Sequence, residues 1–412
     1  MGNEFLNIKN PEDVKAIMNN ITTNKRIENV SIEDSLNRVL AEDIKTPINL
    51  PPFRKANMDG YAVAAEDTFT SSEDNPVRLN LIEVVGAGDV PKKAVQKGSC
   101  SEVGTGAPVP EGADAIVMVE YTEEDNDAIL IIEPVTIGQN ISKEGSDIKK
   151  GELILSKGTS INPEKIGVLS AIGMNNVPVY QKPQVAIIST GNELIRHNEA
   201  LTYGKIYDIN SITIASAVKS CGCIPVHTEI VKDDYNDLKN KIQEFKDLDL
   251  IITSGGTSAG RGDVLRQVID DLGEVLVHGI AVKPGKPTII GRLKHDGEYK
   301  YILGLPGNPV AASMVFQVFF APFLREMASL NKSSLFNERN VLKLELSRRY
   351  RPAKGRKHYL LVKVEGKHAV PILKDSGAIA ALADADGFIE IQKNAEILEK
   401  GSQVTVYPLG NW

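Results

Sequence analysis

Only three cysteines occur in 412 residues. That is too few for a disulfide framework, and it fits a reducing compartment. Cys221 and Cys223 are the one close pair, and no second cysteine or histidine cluster completes a zinc site around them. The chain also has no basic excess. Forty-seven Lys and Arg stand against 54 Asp and Glu, for a formal net charge of −7. This argues against nucleic acid as a main partner but leaves room for local basic loops that hold an anion. The longest apolar run, residues 314–324, is broken by Gln317 and Pro322 and is too short to span a bilayer. The first residues carry no apolar signal-peptide core, and Leu6 stands where a myristoylation motif needs Ser or Thr. These absences lead us to expect a cytoplasmic protein with neither membrane nor nucleic acid as a partner.

What is present is an ordinary globular composition, 42% hydrophobic and 25% charged, long enough for two to four domains. Residues 250–263 are the most informative stretch. Leu250-Ile251-Ile252 reads as a buried strand. Glycines and hydroxyl residues follow (Ser254, Gly255, Gly256, Thr257, Ser258, Gly260, Gly262), then Asp263 and a helical apolar spacing at Val264, Leu265, Val268 and Ile269. Strand, small-residue loop and helix start form a natural anion site, because glycines admit a ligand to the backbone and helix N-terminal N–H groups point at negative charge. Taken alone, the loop is better explained as a tight turn with Asp263 as N-cap, since it matches neither GxGxxG nor a Walker A motif.

Other loops tip the balance. Residues 183–330 alternate strands and helices, which implies a mostly parallel sheet covered on both faces, with ligands outside the carboxyl ends of the strands. Residues 189–193, 253–263 and 305–309 all fall at such ends. Lys283-Pro284-Gly285-Lys286-Pro287 presents two cations on a proline-stiffened backbone. Pro306-Gly307-Asn308-Pro309 opens a long apolar helix, with Asn308 near its cap and Pro309 near its first position.

Elsewhere, Pro11 and Glu12-Asp13 open a helix bearing Val14, Ile17 and Met18, and Ser31 with Asp34 begins a second one over Leu36, Val39 and Leu40. Asp59-Gly60 reads as a turn before a strand at Tyr61-Ala62-Val63. Residues 63–137 read as a small β-rich lobe holding a shaped loop at 104–114. Residues 335–412 suggest a small β barrel or sandwich. Arg349, Arg351, Lys354, Arg356 and Lys357 form a basic cluster, which we read as a solvated face or an anion contact.

Eight of these segments, in order, resemble the molybdopterin molybdenumtransferase family, the molybdenum insertases of molybdenum-cofactor synthesis. They are residues 57–62, 105–114, 145–151, 189–194, 208–211, 253–263, 283–287 and 304–309. The resemblance implies an α/β and β multidomain fold, an elongated four-lobed subunit. Its lobes would be a linker domain of residues 1–50 with 138–180, an inserted β-rich lobe at 51–137, a mostly parallel α/β molybdopterin-binding domain at 181–332, and a C-terminal β-barrel at 333–412. It implies a homodimer with a shared cleft, and a Mg²⁺-dependent reaction joining molybdate to adenylylated molybdopterin to give molybdenum cofactor and AMP. The upstream adenylyltransferase and acceptor molybdoenzymes would be further partners.

Carried over by motif, Asp59, Thr105, Glu193, Asp208 and Asp263 are the candidate catalytic residues, and Glu193, Asp208 and Asp263 also the candidate metal ligands. Ser189, Thr190, Gly191, Ser254, Gly255, Gly256, Ser258, Lys283, Lys286, Pro306, Gly307 and Pro309 would bind substrate. Asn57, Glu102 and Arg261 depart from the family's frequent residues. The competing expectations are a molybdopterin adenylyltransferase, which shares the α/β lobe, and a non-catalytic scaffold of the same architecture.

Overall fold

The computed structural model of the protein describes residues 7–256, 264–330, 341–375 and 377–410. The chain divides into two compact units. One comprises Met1–Asn29, Asn37–Val39 and Pro178–Trp412, the other Val30–Leu36 and Leu40–Val177.

The second unit contains a six-stranded sheet in the order Ala115–Met118, Gly60–Val63, Ser99–Val103, Val77–Val85, Ala128–Ile131, Thr122–Asp125. Side chains alternate across a strand, so Tyr61 and Val63 pack in one core cluster with Leu79 and Ile131. Ala62 packs in another, with Val85, Val103 and Ile116. As expected, Asp59 lies in the bend immediately before Gly60–Val63.

The helix expected after Ser31 does not form. Ser31 Oγ does accept from the Asp34 backbone N–H at 3.2 Å, the start of a capping turn. The chain then reverses: Asn37 takes φ 60°, and the Leu40 N–H donates to Thr159 O. A left-handed residue ends a helix before it can propagate.

The first unit is built on a second six-stranded sheet, in the order Ile224–Val231, Gln184–Thr190, Leu250–Ser254, Glu298–Leu305, Ile289–His295, Gly273–His278. The first four strands are mutually parallel, as alternation with helices predicts. Ile289–His295 pairs antiparallel with both of its neighbours, Glu298–Leu305 and Gly273–His278, so the sheet is mixed. A tight turn explains the change of direction. Asp296 and Gly297 both adopt positive φ, 47° and 81°, and fold 289–305 into a hairpin.

Both sheet faces are covered. Ile187, Ile252 and Leu303 pack toward the helical segment Pro309–Met327, while Ala186, Ile188, Ile251 and Ile302 pack with Leu238, Ile242, Leu265 and Ile269 of two other helices. Pro309–Met327 is long and apolar enough by composition to cross a membrane, but it is mostly buried in the protein. Its middle turn, Phe316–Phe320, is a π-helix. That widening accommodates Pro322, which has no N–H to continue the ladder.

The C-terminal β-barrel is closed by five strands: Lys357–Glu365, His368–Pro371, Leu342–Leu346, Gln403–Pro408 and Gly387–Ile391, which returns to Lys357–Glu365. Leu346, Leu360, Val362, Ile389 and Val406 fill it. The short strand Val282–Lys283 joins its edge beside Lys357 and His358. Lys357 corrects the reading of its basic cluster as a solvated face. Its side chain is 11% exposed and bridges Glu12 and Glu390, at 2.8 Å each.

His358, on the same strand, is buried, and its ring meets the Tyr350 hydroxyl at 3.2 Å. Burial, and then the nearby Lys283 ammonium, lower its pKa from 6.5 to about 4. The unfolded chain therefore takes up this proton between those two values while the native protein does not, so stability falls as pH drops from 6.5 toward 4. Thermal melts across that interval are expected to show the fall, and His358→Gln is expected to flatten it. An unchanged slope in the variant would show that His358 does not contribute.

Candidate active-site cleft

The carboxyl ends of the parallel strands open into a cleft of about 1170 Å³. Ser189, Thr190, Gly191 and Glu193 enter it from the end of Gln184–Thr190. Ser254, Gly255 and Gly256 enter from the end of Leu250–Ser254, and Pro306, Gly307 and Pro309 from the loop after Glu298–Leu305. Asp208 and Lys286 also line it. Segments far apart in sequence thus meet at one place, as strand-end geometry requires.

Two glycines make the approach possible. Gly255 and Gly256 have φ 94° and 66°. A Cβ on Gly255 would lie 2.4 Å from Thr190 O, and one on Gly256 would lie 3.0 Å from Thr190 Oγ1. Only the absence of a side chain lets these two loops touch.

Asp208 is buried. Its Oδ1 accepts from Ser189 Oγ at 3.0 Å and from the Ser211 backbone N–H at 3.2 Å. Its Oδ2 is buried and has no hydrogen-bond partner among the described residues, and the same holds for Thr190 Oγ1. Buried polar atoms without partners are uncommon, and at a cleft wall they are where a ligand's polar atoms fit.

Sequence reasoning missed Asp233, which stands two residues past Ile224–Val231 and lines the same cleft. Burial, then the neighbouring charge of Glu193, push its carboxyl above the usual range. The strand-end rule that found Ser189 and Ser254 applied equally to this position. Also missed was a flap formed by Leu194–Ile195 and Ile206–Tyr207, which adds Leu194, Leu201, Ile206 and Tyr207 to the rim.

The other expected residues fall elsewhere. Lys283 lines an adjoining cavity of about 420 Å³ with Lys286, Arg356, Tyr350 and His358. Lys286, Pro287, Pro306 and Asn308 border both cavities. Asp59 and Thr105 belong to the other unit and pair with each other. Asp59 Oδ1 accepts from the Thr105 backbone N–H at 2.6 Å and from its hydroxyl at 2.8 Å, and these bonds hold the Asp59 carboxyl below its usual range. Ser258 and Asp263 lie outside the described residues, as does Arg261. Among the residues that depart from the family pattern, Asn57 accepts at Oδ1 from Ser142 Oγ at 2.6 Å, and Glu102 is exposed on a sheet strand. The three cysteines are free and buried, and burial raises all three thiols, Cys100 and Cys221 to about 12.

A doubly covered sheet with a glycine-lined, carboxylate-bearing cleft at its strand ends defines an α/β protein with a strand-end ligand site. Residues 186–326 match the family described as "Probable molybdopterin binding domain", flanked by "MoeA N-terminal region (domain I and II)" at 8–173 and "MoeA C-terminal region (domain IV)" at 343–409. The molybdopterin molybdenumtransferase of Bacillus subtilis is 34% identical over 385 residues, spanning 92% of this chain and 88% of its own length. That of Staphylococcus aureus is 33% identical over 405 residues, 96% and 94% of the two chains. A solved molybdopterin biosynthesis MoeA protein from Pyrococcus horikoshii superposes with TM-score 0.86 at 39% identity, covering 98% of this chain and all of that one. The chain belongs to the molybdopterin molybdenumtransferase family, enzymes of molybdenum cofactor biosynthesis.

Proposed function

We propose that the cleft binds adenylylated molybdopterin and that the protein joins it to molybdate, releasing AMP and leaving molybdenum cofactor. One observation carries this reading: glycine, hydroxyl, carboxylate and lysine groups from separate strand ends line a single cleft, and a cation-lined cavity adjoins it. A pyrophosphate linkage needs backbone N–H groups and cations, and Gly256 and Lys286 are the cleft residues suited to supply them. Lys283, Lys286 and Arg356 suit a small oxyanion such as molybdate in the adjoining cavity, whose wall is continuous with the cleft. The dithiolene sulfurs belong to the substrate, so the enzyme needs no reactive thiol, consistent with three buried cysteines.

A Mg²⁺ ion fits the donor set. Mg²⁺ is held by one or two carboxylates, with phosphate oxygens and water filling its shell. Among the described residues no three His, Cys, Asp or Glu gather as a closed metal cage. Asp208, with its unpartnered buried oxygen, and Glu193 or Asp233 of the same cleft would hold the ion together with substrate phosphate. When bound, the ion would neutralise charge on the pyrophosphate as AMP departs. Asp208 is fixed for that role by Ser189 and Ser211. The homodimer implied by the family resemblance is part of the same proposal, checked by mass in solution.

The test is incubation of purified protein with adenylylated molybdopterin, Mg²⁺ and molybdate, with AMP and cofactor quantified. Absence of AMP release would remove the reading. Within that assay Lys286→Ala is expected to raise KM for molybdate about tenfold or more, since a charge-assisted contact contributes ~1.5–3 kcal/mol. An unchanged KM would exclude Lys286 from oxyanion binding.

A further inference from the structure

We infer that Asn210 is a positioning residue whose side-chain amide holds two strand ends together, so that the cleft is shaped before a ligand enters. The inference rests on the functional reading above and adds a residue that reading does not use. Asn210 opens the helix Asn210–Ser220, two residues after Asp208, and lines the cleft. Its Nδ2 donates to Gly307 O at 2.7 Å and to Ser254 Oγ at 2.9 Å. Ser254 Oγ in turn donates to Pro306 O at 3.2 Å.

The direction of this chain follows from its acceptors. A carbonyl oxygen only accepts, so it is the amide nitrogen and not its oxygen that faces Gly307. The Ser254 proton is committed to Pro306, so the Ser254 oxygen accepts from Asn210. Both amide hydrogens are then spent on protein, one on each loop. The Asn210 carbonyl oxygen takes no donor among the described residues and is the group left for a ligand. Two side chains thereby brace three strand ends: Asp208 holds Ser189, and Asn210 holds Ser254 and Gly307.

Pre-organisation of this kind lowers the cost of ligand binding, because the loops lose less freedom when the ligand arrives. Asn210→Asp tests it closely. The variant is isosteric, keeps the carbonyl-side acceptor and removes both donors, placing a carboxylate oxygen against two acceptors. Three measurements on the full-length chain separate the explanations. They are AMP affinity by calorimetry with kcat and KM in the insertion assay, thermal midpoint, and hydrogen exchange of segments 250–256 and 304–310 without ligand.

The expected result is faster exchange in both segments, an AMP affinity about tenfold weaker, and a midpoint shifted by only a few degrees. Asn210→Gln, which restores the donors one methylene further out, should recover part of the affinity. A lowered midpoint with unchanged affinity would make Asn210 merely structural and overturn the inference, as would unchanged exchange. If wild-type protein binds no AMP and releases none, the functional reading fails, while exchange alone still decides whether the clamp exists. Should Asn210→Asp not fold, Ser254→Ala removes one arm of the clamp and is read by the same three criteria.

Discussion

Gly255→Ala is expected to abolish AMP release and to lower the melting temperature by several degrees. The added methyl would lie 2.4 Å from Thr190 O and 2.8 Å from Thr190 Oγ1, at a residue with φ 94°. The first contact cannot be relieved by rotating a side chain, because it is backbone. The strands Gln184–Thr190 and Leu250–Ser254 would have to separate where they pair in parallel. Unfavourable backbone conformation costs ~1–3 kcal/mol and overpacking a further ~1–3 kcal/mol. Gly307→Ala is the matched control. Its methyl would lie 3.7 Å from Gly255 Cα, an ordinary contact, so stability should change little. If Gly255→Ala melted with wild-type protein and turned over normally, the close approach of the two loops would be irrelevant to function.

Asp208→Asn is expected to reduce turnover by ~10²–10³, the range seen when one preorganised electrostatic group is removed. Its fold should survive. The asparagine carbonyl can still accept from Ser189 Oγ and the Ser211 N–H, the two contacts that hold the side chain. What changes is the other oxygen, buried and without a partner among the described residues, which becomes an uncharged amide. Turnover followed against Mg²⁺ concentration distinguishes the roles. A metal or phosphate contact predicts a steep loss and a raised Mg²⁺ requirement. Wild-type turnover at every Mg²⁺ concentration would reduce Asp208 to a brace between strand ends.

Much of the architecture was legible because the α/β unit repeats a simple pattern. Apolar runs such as Leu250-Ile251-Ile252 are buried on both faces, and helices such as Asn210–Ser220 follow strands at predictable spacing. Errors fell where local cues were weak or overridden. The Ser31–Asp34 capping turn was real, yet Asn37 diverted the chain. The flap strands Leu194–Ile195 and Ile206–Tyr207 have two residues each, the first half-buried and the second exposed, so no periodicity marks them. His368–Pro371 is a four-residue barrel strand beside a turn and left equally little trace.

The residue types able to hold an anion, and their positions at strand ends, were determined by the sequence alone, because alternation of strand and helix dictates which loops share an end of a sheet. Tertiary structure decided the rest. Parallel pairing brought Asn210 to Gly307 across 97 residues and put Asp233 beside Glu193. Tertiary packing set Lys357 between Glu12 and Glu390 from distant segments, and burial lowered the His358 pKa to about 4. Burial, protonation and hydrogen-bond direction depend on neighbours supplied by distant segments, and no local pattern encodes those neighbours.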